Sequence, residues 1–506
     1  MSTDWRSGSQ NTWRGGRARG AGRGSTRGGR GGFSMPAEIP KRDYGTLLET
    51  LKLQEVKQPE SPPKITGCEY ISSYNWMDSK TPTILVPGAP PLWKQLPPKQ
   101  YKVDTGIYFR DPNAARYPKH PTEPAMRAVF AMQEDFNPST IDIVACGSTL
   151  GNILRFASQK ERAFSMDAEL VGDTLFIMRK ETTPTETIKG VHGYGHTFPE
   201  ENTEWEADVK GSISHQRIIR YQFGDLTCLV RFESDGYLAE RLTAEERAQL
   251  KSSSARTTPP RDESLFNLLK DASVSQQLPL TNQASQPLTI NLNKGYLVPQ
   301  NSIFDIKTRS NKYNHVIDMS EVLPRIWISQ IPIFIIAYHR DGYFSSDDVK
   351  VEDVSDQIEE WETENRDAIG RFHAVLRKIV EFAKGGEGRG SGERRLRRFE
   401  ICRRSETGPL ELRDHLAGRL VYGPEDPYQS ALPRDLKERW IAGDEGLEKG
   451  DSISIGSGNS DSNDDDDDDD DYGEDKKWDG DGDWEELKDY TACSADHCGY
   501  CGRCDY

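Results

Sequence analysis

The sequence predicts an α/β (mixed α+β) fold, a mixed β-sheet core flanked by helices, with disordered N- and C-terminal tails. Three observations predict it. Residues 218–223 and 226–232 are β-branched, aromatic-rich runs around Gly224-Asp225, the pattern of two strands joined by a tight turn. Residues 354–383 repeat apolar side chains at helical spacing, with Ile358, Trp361, Ile369, Phe372, Leu376, Ile379 and Phe382 on one face, a stripe that packs on a core. Both ends, by contrast, are polar and strongly charged and carry too little apolar surface to offset the entropy of folding.

The charge of −17 is an average of opposite ends. Residues 1–34 hold seven Arg and one Asp, whereas residues 464–471 are eight consecutive Asp. In the 1–40 arm, Arg14, Arg17, Arg19, Arg23, Arg27 and Arg30 alternate with Gly, and Trp5, Trp13 and Phe33 add aromatic faces. Guanidinium groups meet phosphates in a fork and stack on bases, so this RGG arm suits RNA; the plainer reading is a solubilising tail. The Asp run suits a basic protein partner. No apolar leader and no run of about 18 apolar residues is present, which points to a nuclear or cytoplasmic protein, not secreted and without a membrane partner.

Residues 60–125 are Pro-rich and read as loops and short strands, followed by a helix over 123–132. A strand is expected over 141–145, a turn over 147–151, a helix from 152, and a hairpin of 164–170 with 174–179 around Gly172-Asp173. Residues 240–290 form a polar insertion; a strand at 302–307 and a helix-then-strand over 318–338 follow. The predicted organisation is an arm (1–40), a nuclease-like domain (65–385), a basic extension (386–445), an acidic tail (446–490) and a Cys-rich end (491–506).

The residues that carry chemistry lie in FESDGYL (232–238) and IFDIKTRS (303–310). Each is the end of an apolar strand at which acids emerge. Strand alternation puts Asp305 and Lys307 on one face, and a charged pair on such a strand is tolerated when paired or when a metal compensates the acid. Asp235 and Asp305 suit one or two Mg²⁺ or Mn²⁺ ions, which take oxygen ligands, with Glu233 as a further donor. Lys307 suits orienting a water or stabilising negative charge that develops on a phosphate.

An acid at one strand end followed by D-x-K on the next is the PD-(D/E)XK nuclease signature. Here the chain resembles a divergent fungal relative of the DXO family of decapping nucleases within that superfamily. The family's E-apolar-D and E-apolar-K motifs match Glu233-Ser234-Asp235 and Asp305-Ile306-Lys307, and its next helix and strand match residues 323–344. The resemblance makes Gln330 a supporting residue of the site and puts His215 where the family has a metal-binding Glu. The chain departs from the family at Cys146 to Ser148, where the family has an Arg, at Ser234, which is polar, and at Asp305, which replaces Glu. The resemblance implies a metal-dependent hydrolase of RNA 5′ ends, by decapping, pyrophosphohydrolysis or exonuclease action. A non-catalytic RNA-binding or adaptor protein on the same fold is the alternative.

Three further signals are weaker. His192 and His196 lie in a Gly- and Pro-rich segment and read as loop histidines near the substrate. Cys493, Cys498, Cys501 and Cys504 follow a C-x4-C-x2-C-x2-C pattern that suits a tetrahedral Zn²⁺ site, with an iron–sulfur cluster or a loose Cys-rich tail also open. The Asp run matches the D-D-x-x-D of prenyl diphosphate synthases, and fungal sequences like this one are often labelled geranylgeranyl pyrophosphate synthetase. The residues do not support that label: such enzymes are all-helical, and this chain is β-rich at its centre.

Overall fold

The computed structural model describes residues 44–443 apart from 182, 189–190, 192, 249–285, 312–316, 386–397 and 416–429. The Arg-rich arm, His192, most of the polar insertion, the acidic tail and the Cys-rich end lie outside the described residues.

The chain begins with β1 (Leu47–Leu51), β2 (Ile65–Met77), β3 (Thr83–Gly88), β4 (Leu92–Trp93) and β5 (Lys99–Gln100), then α1 (Pro112–Arg116) and α2 (Glu123–Met132). It continues through β6 (Ile143–Cys146), α3 (Gly147–Ala157), the hairpin β7 (Phe164–Val171) and β8 (Thr174–Arg179), α4 (Thr197–Asn202) and β9 (Thr203–Glu204). The hairpin β10 (Ser212–Phe223) and β11 (Leu226–Ser234) leads directly into β12 (Gly236–Tyr237). After the insertion come β13 (Thr289–Gly295), β14 (Ile303–Ser310), α5 (Met319–Ser329), β15 (Ile333–His339), β16 (Tyr343–Phe344) and β17 (Val349–Asp353). The remaining elements are α6 (Ser355–Glu364), α7 (Arg366–Lys384), β18 (Arg398–Arg403), β19 (Leu410–Asp414) and α8 (Arg434–Ala442).

Two sheets carry the architecture. The larger runs β1-β19-β18-β7-β8-β6-β11-β10-β2-β3-β13 and is mixed, since β6 lies parallel to both β8 and β11 while the hairpins are antiparallel. The smaller runs β17-β15-β14-β12-β4-β9, with β14 and β15 parallel and α5 as the crossover between them. Side-chain alternation sends successive residues to opposite faces. Thus Val230, Ile219 and Ile177 join the core under α3, α5 and α7, while Leu229, Ile218 and Phe176 join a second core under α2 and α8.

Three elements differ from the sequence expectation. Helix α3 begins at Gly147 rather than after a turn, because the Cys146 backbone is already extended and Gly147 fits close against Phe232 and Ser329. The long helix over 354–383 is two helices: the backbone leaves helical geometry at Asn365, whose Nδ2 donates to the carbonyl of Trp361. The Pro-rich stretch yields the thirteen-residue strand β2, the partner of β10 inside the large sheet.

Strands from both sides of residues 65–385 complete the large sheet, since β18 pairs with β7, and β19 lies between β18 and β1. Helix α8 closes the second core. Its Trp440 meets Phe130, Phe136 and Phe176 edge-on or tilted and donates its indole N–H to Thr174. Among the described residues no helix is long and apolar enough to cross a membrane. We predict that Trp440→Ala lowers stability by about 3–5 kcal/mol, the usual result of emptying a buried aromatic site. Denaturant unfolding of the full chain measures it, and a loss under about 1 kcal/mol would mean that α8 is not part of the folded body.

Candidate active site

The site is built where the chain passes from one sheet to the other. β11 ends at Ser234 in the large sheet, β12 starts at Gly236 in the small one, and Asp235 is the residue between them. Gly236 is required there, because a Cβ would stand 2.3 Å from the Phe304 ring and 2.7 Å from the Pro91 carbonyl oxygen. β12 pairs antiparallel with β14 as Gly236↔Phe304 and Tyr237↔Ile303. One further step of that register sets Asp235 opposite Asp305. The Asp235 carboxylate is anchored to the same strand, since its Oδ2 accepts the Ile306 backbone N–H at 2.7 Å.

On β14, Phe304 and Ile306 point into the core of the small sheet with Ile333, Ile335 and Ala337. Asp305, Lys307 and Arg309 therefore share the other face, and they are only 5 %, 7 % and 6 % exposed. Arg325 reaches over from α5 and its guanidinium binds Asp305 Oδ1 as a buried ion pair. Lys307 makes no ion pair or hydrogen bond with a described residue. Asp305 shares its face, and an incoming phosphate would give the ammonium a hydrogen-bond partner.

Glu233 stands one dipeptide before Asp235, and its Oε2 accepts a hydrogen bond from Gln216 Nε2 at 3.1 Å across the β10–β11 ladder. Its side chain is reached by water, yet the protein around it desolvates the carboxyl and raises its pKa, against the Gln216 hydrogen bond and the positive charges of Arg231, His196 and Arg116. A neighbouring recess on this face of β11 is lined by Arg231, Cys146, Asp111, Met126 and Met178.

The structure does not bring His215 together with Glu233. His215 pairs with Ser234 while Gln216 pairs with Glu233, so its ring lies on the opposite face of the hairpin from Glu233. The ring is fully buried, its Nδ1–H donates to Asn75 Oδ1 at 2.6 Å, and burial together with Arg217 holds its pKa well below the ordinary value. Gln330 ends α5 in a left-handed conformation (φ 52°), and its side-chain amide donates back to the Trp327 carbonyl. It caps its own helix rather than reaching the acids.

Among the described residues no group of three or more His, Cys, Asp or Glu side chains comes together to hold a metal. Asp235 and Asp305 are the two acids that the register of β12 with β14 sets opposite one another. Two carboxylates suit a hard cation such as Mg²⁺ or Mn²⁺ that keeps water and substrate phosphate among its ligands, and they do not suit an all-protein cage. The four C-terminal cysteines lie outside the described residues. Cys68, Cys146, Cys228 and Cys402 are free thiols.

Two residues escaped the sequence reading. Arg309 continues the alternation that found Asp305 and Lys307, and the same two-residue period would have found it. Arg325 is carried by another element twenty residues from Asp305, and no local spacing announces it.

Residues 50–392 match the model of a family described as Domain of unknown function (DUF8563). The chain belongs to this family. No curated protein matches it. Similar solved structures include Rai1 of Scheffersomyces stipitis, 11% identical over 80% of this chain and 99% of that one, with a TM-score of 0.45. Candida albicans Rai1 in complex with pU5-Mn²⁺ is 10% identical over 78% of this chain and 98% of that one, TM-score 0.43. K. lactis Dxo1 in complex with manganese is 10% identical over 72% of this chain and 95% of that one, TM-score 0.38. Likeness at this level carries no activity, substrate or metal to this chain.

The Asp305–Arg325 pair gives a test of the carboxylates. Arg325→Met removes the guanidinium from a buried ion pair and should destabilise the protein by about 3–5 kcal/mol in denaturant unfolding. Added Mn²⁺ should recover part of that loss, and none of it in Arg325→Met/Asp235→Ala. Equal responses in the two variants would mean that Asp235 and Asp305 do not share a cation.

Proposed function

We propose that this chain hydrolyses a phosphodiester or phosphoanhydride bond at the 5′ end of RNA, with Mg²⁺ or Mn²⁺ held at Asp235 and Asp305. The observation that supports the reading is the register that sets two acids, Asp235 and Asp305, opposite one another on adjacent strands, with Lys307 next along the same face of β14. A metal bound there supplies charge neutralisation on the phosphate and a water of lowered pKa. The chain's own groups do the rest. The Ile306 N–H fixes the Asp235 carboxylate in place. Lys307 takes a non-bridging phosphate oxygen and so holds the reacting phosphorus beside the acids; it then opposes the negative charge that grows there. Arg325 neutralises Asp305 while the site is empty of substrate, which keeps two opposed carboxylates compatible with burial. RNA is preferred over DNA because of the Arg- and Gly-rich arm with its aromatic residues and the resemblance of the two motifs. The reading places the protein with RNA, in the nucleus or the cytoplasm.

One observation favours a second reading, a protein that binds RNA ends without cutting them. Arg325 already satisfies Asp305, and no third donor joins the acids among the described residues.

The experiment incubates the full chain with 5′-labelled RNA bearing triphosphate, capped or monophosphate ends, with Mg²⁺, Mn²⁺ or a chelator. Product is expected with the metals, at a rate at least about 100-fold above that of Asp305→Ala/Lys307→Ala. Intact binding of RNA with no product from any end would replace the hydrolase reading by the binding one.

A further inference from the structure

The guanidinium of Arg325 binds Asp305, one of the two acids assigned above to a cation. Both partners are nearly enclosed, with side chains 11 % and 7 % exposed. The elements that carry them are fixed. Asp305 lies within β14, which pairs with β12 on one side and β15 on the other. α5 is anchored by Val322, Leu323 and Ile326 in the core. Its C-terminal end is held by Gln300, whose Nε2 donates to the carbonyls of Ser329 and Gln330 at 3.1 and 3.0 Å. Gln300 in turn accepts from Arg217 Nε of β10 at 3.1 Å. A change of partner at Asp305 therefore moves the Arg325 side chain and not the helix. The side chain is long and rotatable, and its fork of donors fits a phosphate as it fits a carboxylate.

The charges at this end of the face are matched. Asp235 and Asp305 are negative and Lys307 and Arg325 are positive, so the four sum to zero with nothing bound. A divalent cation alone brings two positive charges to a buried place where a guanidinium already holds one of the acids. A phosphate monoester alone brings up to two negative charges beside two carboxylates. Either one binds against unbalanced charge, which is costly away from water. Together they return the sum to zero, with the cation on the carboxylates and the phosphate on the ammonium and the guanidinium. The geometry permits that division. Lys307 stands two residues from Asp305 on the same face of β14, about 7 Å along the strand. A phosphate on Lys307 thus lies within the sweep of a side chain that starts at Asp305. Arg309 is a further step along, on the side away from Asp235.

We propose that Arg325 is an exchangeable counter-ion. It holds Asp305 while the site is empty, and it passes to the substrate phosphate when a divalent cation takes its place on the carboxylate. Cation and phosphate then bind cooperatively, and the acids fill when an RNA end is present. The inference rests on the cation and phosphate assignments of the proposed function and deepens them, since it makes Arg325 a second phosphate-binding group beside Lys307. An acid that is already paired does not exclude a cation; it makes the cation wait for the anion that draws the guanidinium away.

The test measures binding on the full chain, without turnover. Mn²⁺ is titrated with and without saturating uridine 5′-monophosphate, and free Mn²⁺ is read by electron paramagnetic resonance. Uridine, which lacks the phosphate, is the control, and a protein-free titration corrects for Mn²⁺ held by the nucleotide itself. In the wild type the nucleotide should tighten Mn²⁺ binding by about tenfold or more, and Mn²⁺ should tighten nucleotide binding by the same factor; uridine should change neither. Arg325→Gln, which keeps a hydrogen-bond donor for Asp305, should bind Mn²⁺ alone more tightly than the wild type. Its coupling should fall to less than about a third of the wild-type factor. Arg325→Lys, which keeps the charge but not the fork, should fall between the two. Circular dichroism and the melting temperature identify a variant that has not folded, and the other variant then decides. Equal coupling in the wild type and Arg325→Gln, an unchanged affinity of Arg325→Gln for Mn²⁺ alone, or no coupling in the wild type would overturn the exchange and leave the cation site standing. No binding of Mn²⁺ by the folded wild type under any condition would overturn the cation site and the exchange together. The expected coupling in a protein that cuts no RNA end would keep the exchange and overturn only the hydrolase reading.

Discussion

The contact on which the rest depends is the one between the Asp235 carboxylate and the Ile306 N–H. It pins the strand leaving the large sheet to β14 of the small one, at the single residue between β11 and β12. A backbone N–H at the end of a ladder needs an acceptor, and burial makes its absence costly. Asp235 meets that need with a side chain that also carries charge. The crossing is possible because Gly236 lets the backbone press against Phe304 and Pro91. Structure and chemistry thus share one residue: the contact that joins the sheets also sets Asp235 opposite Asp305.

Charge burial is handled differently across the fold. On the large sheet, Asp167 is enclosed with Lys180 and His415, and although burial disfavours its charge, these two hold its carboxyl below the usual range. Glu169 likewise binds Lys437, Ser430 and the Ala431 N–H, which ties the segment leading into α8 to the sheet. These are closed arrangements in which each charge meets its counterpart. The face of β14 is arranged differently, with Asp305 met by Arg325 and no side-chain hydrogen bond or ion pair described for Lys307.

Much of this was legible along the chain. The β10–β11 hairpin, the helix over 123–132 and the α5–β15 pair follow from periodicity, because side chains on a strand or helix report their own burial. Asp305 and Lys307 were legible as a pair by alternation alone. The break at Asn365 and the early start of α3 were not, since each depends on a backbone contact rather than a pattern. The place of β18, β19 and α8 in the body was hidden for another reason: charged residues read locally as a basic extension meet counter-charges on distant strands, as Lys437 of α8 meets Glu169 of β7.

By itself, the sequence determined which strands end in acids and which residues alternate onto one face, because those follow from a two-residue period within a single element. Tertiary structure decided which of them meet. It set Asp235 opposite Asp305, brought Arg325 to Asp305 from a different element, turned His215 to the far side of its hairpin, and placed His196 with Asp104 although ninety-two residues separate them. Such meetings depend on register and on how two sheets join, and neither is encoded in the spacing of residues along one strand.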